Sequence, residues 1–170
     1  MEKLNIRPVG LDHIQEIQDL AWKIWPGVFK DILSPEQINY MMEMMYSPHA
    51  LLNQIGVLGH QFLIFDFDQK PVGYISYEIH YKGLSKTKIH KLYLSEETRG
   101  KGLGSRILEE ITSLAIQKND TALVLNVNRN NPAIKFYEKN GFHLDYEEII
   151  DIGKGYIMDD YVMVKQLVNS

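Results

Sequence analysis

There is no cysteine among the 170 residues. That removes disulfides, thiol nucleophiles and thiolate metal sites together, and it fits a reducing cytoplasm. No apolar stretch approaches the roughly 20 residues that span a bilayer, and no basic start leads into an apolar run. Neither a membrane span nor an export signal is expected. An excess of positive charge is missing too. Lys and Arg number 18 against 22 Asp and Glu, a formal net charge of −4, which argues against a nucleic-acid partner held by electrostatics. The six histidines show no H-x-x-x-H spacing, so no metal is expected. Repeats, linkers and low-complexity runs are absent, and the chain reads as one domain, residues 1–170, long enough for a sizeable core.

What is present reads as mixed α/β. Residues 3–9 alternate like a short strand, with Pro8 marking a sheet edge. Gly10 to Trp25 reads as a helix with Ile14, Ile17, Leu20, Ala21 and Ile24 in one stripe, ended by Pro26 and Gly27. Ser34 can cap the next helix, with Pro35 in its first turn and Gln37 completing a capping box. That helix runs to Tyr46 and carries Met41, Met42, Met44 and Met45, read as core filler. Ser47 and Pro48 open a short helix ending at Leu58. From Gln61 the period changes to two, with strands over 61–66, 72–81 and 87–94 as an antiparallel meander. A helix over 103–118 and a buried strand over 122–127 follow. Asn131 and Pro132 then start a helix that Gly141 stops, and a hairpin over 142–150 and 156–165 closes the chain. This order suits a mostly antiparallel, twisted sheet of about seven strands with helices on both faces.

The stretch from Tyr93 to Leu108 organises the rest. Gly100, Gly102 and Gly104 alternate with Arg99, Lys101 and Leu103 just ahead of a helix. Glycine lets a ligand approach the backbone, and the free N–H groups of a helix N-terminus beside two cations favour a bound phosphate or carboxylate. A ligand-free turn is the plainer alternative. No G-x-x-x-x-G-K-S/T occurs, and the glycines make G-x-G-x-G rather than the dinucleotide fingerprint.

Arg99 to Gly104 does match R/Q-x-x-G-x-G/A, and further on Asn131, Ala133, Tyr137, Gly141 and Phe142 make a second match. Together, in this order, they resemble the GNAT superfamily of acetyl-CoA-dependent N-acetyltransferases, most of all its bacterial small-amine, polyamine-type branch. The resemblance covers residues 60 to 167 well and the first 58 in outline. It implies acetyl-CoA as cofactor and direct transfer of the acetyl group to a primary amine of a small molecule through a ternary complex. It also implies that the strand before the glycine loop and strand 122–127 splay apart to leave a slot for the pantetheine arm. The backbone at Leu92, Tyr93 and Leu94 would meet the pantetheine amides. Arg99, Gly100, Lys101, Gly102, Leu103, Gly104 and Ser105 would hold the pyrophosphate, and Asn131, Ala133, Phe136 and Tyr137 would line the cofactor.

The chemistry requires a neutral amine, a stabilised oxyanion and a proton for the departing thiolate. An alkylammonium with a pKa near that of lysine, about 10.4, is almost wholly charged at neutral pH, so a base or desolvation is needed. Tyr137 is the candidate acid, since a phenol of pKa about 10 stays protonated at neutral pH. His90, with an ordinary pKa of about 6.5, or Glu78 is the candidate base, relaying the proton through water; His80 is a further residue of the same kind. All three would equally serve as solvated strand residues. Asn131 is a good N-cap in either case.

For the acceptor, Trp22, Trp25, Phe29 and Tyr40 are candidates to line its pocket. A polyamine would need convergent acids, for which Asp31, Glu36, Glu43, Asp145, Glu147, Glu148, Asp159 and Asp160 are available. Amino acids, aminoglycosides and protein amines remain open, as does a non-catalytic acetyl-CoA-binding regulatory module. A monomer and a homodimer are both compatible with the exposed edge of the closing hairpin.

Overall fold

Elements form where local chemistry asks for them, and their ends are settled by contacts from farther away. The computed structural model describes residues 3–167. Its strands are β1 (Leu4–Val9), β2 (Gln61–Phe67), β3 (Lys70–Glu78), β4 (Lys86–Leu94), β5 (Ala122–Asn128), β6 (His143–Gly153) and β7 (Tyr156–Gln166). Its helices are α1 (Ile14–Phe29), α2 (Pro35–Tyr46), α3 (Pro48–Gly56), α4 (Leu103–Gln117) and α5 (Ala133–Lys139). The strands form one mixed sheet in the order β1-β2-β3-β4-β5-β7-β6, so Pro8 does lie on an edge strand. By compactness the chain divides in two, and β4 belongs partly to each. The first unit runs to Tyr77 and takes in Lys91–Leu103, while the second holds Glu78–His90 and the chain from Gly104 onward.

In the first unit, β1 and β2 pair antiparallel, as do β2 and β3. Asp68 and Gln69 turn the β2–β3 hairpin with positive φ of 50° and 70°. Ile17, Leu20, Ala21 and Ile24 of α1 are buried as the stripe predicts, together with Met41 and Met42, whereas Met44 is exposed. Both serines cap their helices, while the Gln37 side-chain amide expected to complete a capping box lies 3.8 Å from Met41 Sδ. Ser34 Oγ accepts from the Gln37 N–H at 3.1 Å, and Ser47 Oγ accepts from the Ala50 N–H at 3.1 Å.

α1 does not stop at Pro26; it continues to Phe29 with the proline inside it. Interior proline costs about 3 kcal/mol, because a donor is lost and the ring crowds the preceding turn. Trp25 and Phe29, one turn apart, are both buried with ring centroids 4.1 Å apart. Burying two large aromatics contributes roughly 1.5–3 kcal/mol each, enough to carry the helix past the proline.

In the second unit, β4 and β5 run parallel, β5 pairs antiparallel with β7, and β7 with β6. Buried Ile107, Leu108, Ile111 and Ala115 give α4 its inward face. β3 ends at Glu78 rather than Tyr81. His80 takes a left-handed conformation (φ 53°), and the buried Asp120 holds it there. Asp120 accepts from the His80 N–H at 3.0 Å and from Thr87 Oγ1 at 2.7 Å, and His80 Nδ1 lies 2.5 Å from its other oxygen. No helix is long and apolar enough to cross a membrane among the described residues.

Candidate active site

After β4, Ser95 is buried and the Thr98 hydroxyl donates to its carbonyl at 2.7 Å, closing a tight turn. The chain then passes through Gly100 (φ 82°) and Gly102 (φ 70°) before α4 begins at Leu103. Left-handed backbone of this kind strains any side-chain-bearing residue and suits glycine. An added Cβ at either glycine would meet nothing within 4 Å, so this backbone faces open space. Arg99 is largely exposed, its approach to Glu96 no closer than 3.9 Å, and Lys101 lies over the Phe67 ring. Two glycines with positive φ, two cations and the head of a 15-residue helix fit a polyanion such as a diphosphate.

Behind this loop β4 is held unusually close. A Cβ at Gly73 of β3 would sit 2.5 Å from the Tyr93 carbonyl oxygen and 3.2 Å from the Leu94 Cα. The absence of a side chain at Gly73 therefore lets the Tyr93–Leu94 backbone come this close, a role sequence reading missed. An isolated glycine inside a strand pattern was the available signal for such a close approach.

Glu78, the last residue of β3, and His90 on β4 come together, with His90 Nε2 3.0 Å from Glu78 Oε1. Both side chains keep some solvent access, 17% for the histidine and 25% for the carboxylate. The Tyr81 ring packs edge-on against His90 at 5.7 Å. His80 does not join them, being tied instead to Asp120.

Asn131 is buried, and its Oδ1 accepts from the Ala133 N–H at 2.9 Å, so it performs the capping the sequence suggests. Tyr137, one turn beyond Ala133, is buried between Phe136 and Phe142, with ring centroids 5.3 and 5.5 Å away. The chain leaves α5 through Gly141, at φ 93°.

The candidate acceptor residues sort differently. Trp22 is exposed, whereas Trp25 and Phe29 are core, packed edge-on to Tyr93. Among the acids of the second unit, Glu148 and Asp160 converge on the Asn126 amide at 2.9 and 3.2 Å, while Glu147 and Asp159 clasp Arg129, each at 3.0 Å. Asn126 also accepts from Lys88 Nζ. Burial pushes the Asp160 carboxyl up and the Lys88 ammonium down from their ordinary ranges. These acids thus form two knots, each already containing a cation.

A glycine loop at the head of a helix is what an enzyme that binds the diphosphate of acetyl-CoA calls for. The chain belongs to the acetyltransferase (GNAT) family, whose model matches residues 14–142. Acetyl-CoA is accordingly its cofactor. It is 27% identical to a spermidine N(1)-acetyltransferase of Thermoplasma acidophilum over 161 residues, which is 92% of this chain and 96% of that one. Its fold is similar to the crystal structure of a PaiA N-acetyltransferase of the same organism in complex with coenzyme A. The TM-score is 0.78 at 26% identity, covering 96% of this chain and 99% of that one. A GCN5-related N-acetyltransferase from Rhodopseudomonas palustris shares the fold at TM-score 0.79 and 19% identity, covering 96% and 95% of the two chains.

Proposed function

We propose that this protein passes the acetyl group of acetyl-CoA directly to a primary amine of a small molecule while both are bound. One observation carries the reading beyond the family: the half-buried hydrogen bond between Glu78 at the end of β3 and His90 on the strand that leads into the glycine loop. When bound, acetyl-CoA supplies a thioester open to attack by nitrogen.

Arg99, Gly100, Lys101, Gly102, Leu103, Gly104 and Ser105 hold the diphosphate through helix-head N–H groups and charge. Leu92, Tyr93 and Leu94 offer main-chain partners to the pantetheine amides, and one N–H there polarises the thioester carbonyl. The registered ladder between β4 and β5 covers Lys86–Ile89 and Ala122–Leu125, while β5 runs on to Asn128. We infer that the strands part beyond that ladder to admit the arm. Asn131, Ala133 and Phe136 line it.

His90 takes a proton from the incoming ammonium, and the Glu78 carboxylate stabilises the imidazolium that forms. With acetyl-CoA bound, the neutral nitrogen would bond to the carbonyl carbon and the carbon–sulfur bond would break. The Tyr137 phenol gives its proton to the leaving sulfur and regains one from the nitrogen. The sum is an amide, a free thiol and one proton released.

A polyamine stands first among acceptors, supported by likeness to a protein named as a spermidine acetyltransferase over nearly the length of both chains. In this reading the enzyme works in the cytoplasm, as a monomer or homodimer. The test is release of free CoA thiol from acetyl-CoA with spermidine and a panel of small amines. Turnover on a small amine is expected, and Tyr137→Phe should slow it. A panel without turnover, or a Tyr137→Phe enzyme with full kcat at every pH, overturns the reading.

A further inference from the structure

Lys91 lies on β4, one residue before the segment assigned to the thioester, and is 7% exposed. Its Nζ donates to Gln54 Oε1 at 2.9 Å and sits 5.6 Å from the Tyr46 ring centroid and 5.7 Å from that of Phe62. Gln54 is itself held, its amide donating to the Met45 carbonyl at 2.9 Å at the end of α2. No carboxylate lies within ion-pair distance of this ammonium among the described residues. An amide oxygen, two aromatic faces and a nearby helix C-terminus are all that answer its charge.

The titratable groups of the first unit packed around Lys91 are phenols and an imidazole. Tyr46 from α2 and Tyr74 from β3 share a hydroxyl–hydroxyl hydrogen bond of 2.7 Å, and burial pushes both phenols well up. Tyr93 of β4 packs on Tyr74. His60, ahead of β2, is pushed down to about 4 by burial and then by the Lys91 charge, and is neutral at pH 7. From α3 the neutral Gln54 reaches it. Burial holds Lys91 itself down at about 8.

Burying a cation without a counter-charge works against folding, and a methionine would fill much the same volume without that penalty. Groups held at such expense cluster where a site uses them. We propose that Lys91 is a positioning residue for acetyl transfer, acting through the β4 backbone. Its ammonium ties β4 to Gln54 and adds a positive field behind the Leu92–Leu94 N–H groups that face the developing oxyanion. In low-dielectric surroundings such a field acts over several ångströms. The inference rests on the placement of the thioester at Leu92–Leu94 proposed above.

The experiment compares wild type, Lys91→Met and Lys91→Arg in kcat, KM and thermal unfolding from pH 6 to pH 10. Backbone amide shifts of Leu92–Leu94 on adding coenzyme A are recorded in the wild type. Lys91→Met should lower kcat about tenfold at pH 7 with little change in the KM for acetyl-CoA. It should also melt higher than wild type at pH 7. Because the folded lysine binds its proton less tightly than the unfolded one, wild-type stability rises between about pH 8 and pH 10.5, and the advantage of methionine shrinks over that window. Wild-type kcat should carry a falling limb above about pH 8 as Lys91 loses its charge. Lys91→Arg keeps its charge and should keep the neutral rate without that limb.

A slower enzyme that is also more stable is what a merely structural lysine would not produce. Unchanged kcat in Lys91→Met, or lower activity together with lower stability, overturns the proposal. Should Lys91→Met not fold, a falling limb that still sets in near pH 8 in Lys91→Arg overturns it instead. Amides of Leu92–Leu94 that ignore coenzyme A refute the thioester placement and the proposal with it. Amides that respond while Lys91→Met keeps full kcat refute the proposal alone.

Discussion

Two histidine–carboxylate pairs lie in the second unit, and they differ in what else each carboxylate holds. In one, Asp120 is fully buried and accepts from the His80 main chain and from Thr87, with His80 Nδ1 2.5 Å away. These bonds hold the left-handed residue where the chain leaves β3. In the other, His90 and Glu78 share a 3.0 Å bond while both side chains keep contact with solvent. A buried aspartate orienting an imidazole through Nδ1 also occurs in catalytic triads. Bond geometry alone would therefore favour the His80–Asp120 pair over the one proposed as the base. What separates them is the rest of the carboxylate's commitments and the place in the chain. Asp120 binds backbone and a neighbouring strand, whereas His90 stands two residues before the Leu92–Leu94 segment.

The sharpest way to break this contrast is to remove each pair and ask which property falls. Glu78→Gln and His90→Gln should each lower kcat about 1,000-fold, within the range of general-base catalysis, while stability moves by less than about 1 kcal/mol. Thiol release and thermal unfolding, measured together, check both halves. Asp120→Ala should do the reverse. It strips a buried carboxylate from its donors and should cost about 3 kcal/mol of stability, read by denaturant unfolding, while kcat per folded molecule stays within twofold. A catalytic collapse in Asp120→Ala with normal stability would exchange the roles of the two pairs.

What could be read ahead of the structure, and what could not, divides along the same line of local against distant causes. The glycine loop, the Ser34 and Ser47 caps and the Asn131 cap depend on residues within a turn of one another, and all formed where expected. The end of β3 depends on Asp120, 40 residues away from His80, and no local pattern marks it. The passage of α1 through Pro26 depends on burying Trp25 and Phe29, which a helix-breaker rule cannot weigh. Gly73 matters because Tyr93 and Leu94 come to lie against it, a fact of strand pairing rather than composition. The convergence of Glu148 and Asp160 on Asn126 is likewise a matter of register, joining residues 22 and 34 positions from that amide.

A smaller change sharpens the contrast from within the buried pair. Thr87→Val keeps the shape of the side chain and removes one donor from Asp120. It should cost about 1.5 kcal/mol at neutral pH, as expected for a hydrogen bond to a charged group, with kcat unchanged.

The pH dependence of that loss distinguishes a carboxylate that holds the turn from one that merely lies near it. Burial raises the Asp120 pKa, but the bonds from the His80 main chain, Thr87 and the His80 ring outweigh it, and the net shift is downward. A carboxylate with a depressed folded pKa gives stability that is present above its unfolded value, about 3.9, and is lost as pH falls through the folded one. Wild type and Thr87→Val should therefore differ by a constant amount from neutral pH down to about pH 4, and the two unfolding curves should converge below it. Curves that stay parallel at every pH would mean that the Thr87 hydroxyl supports the strand through packing, with no share in holding the Asp120 charge.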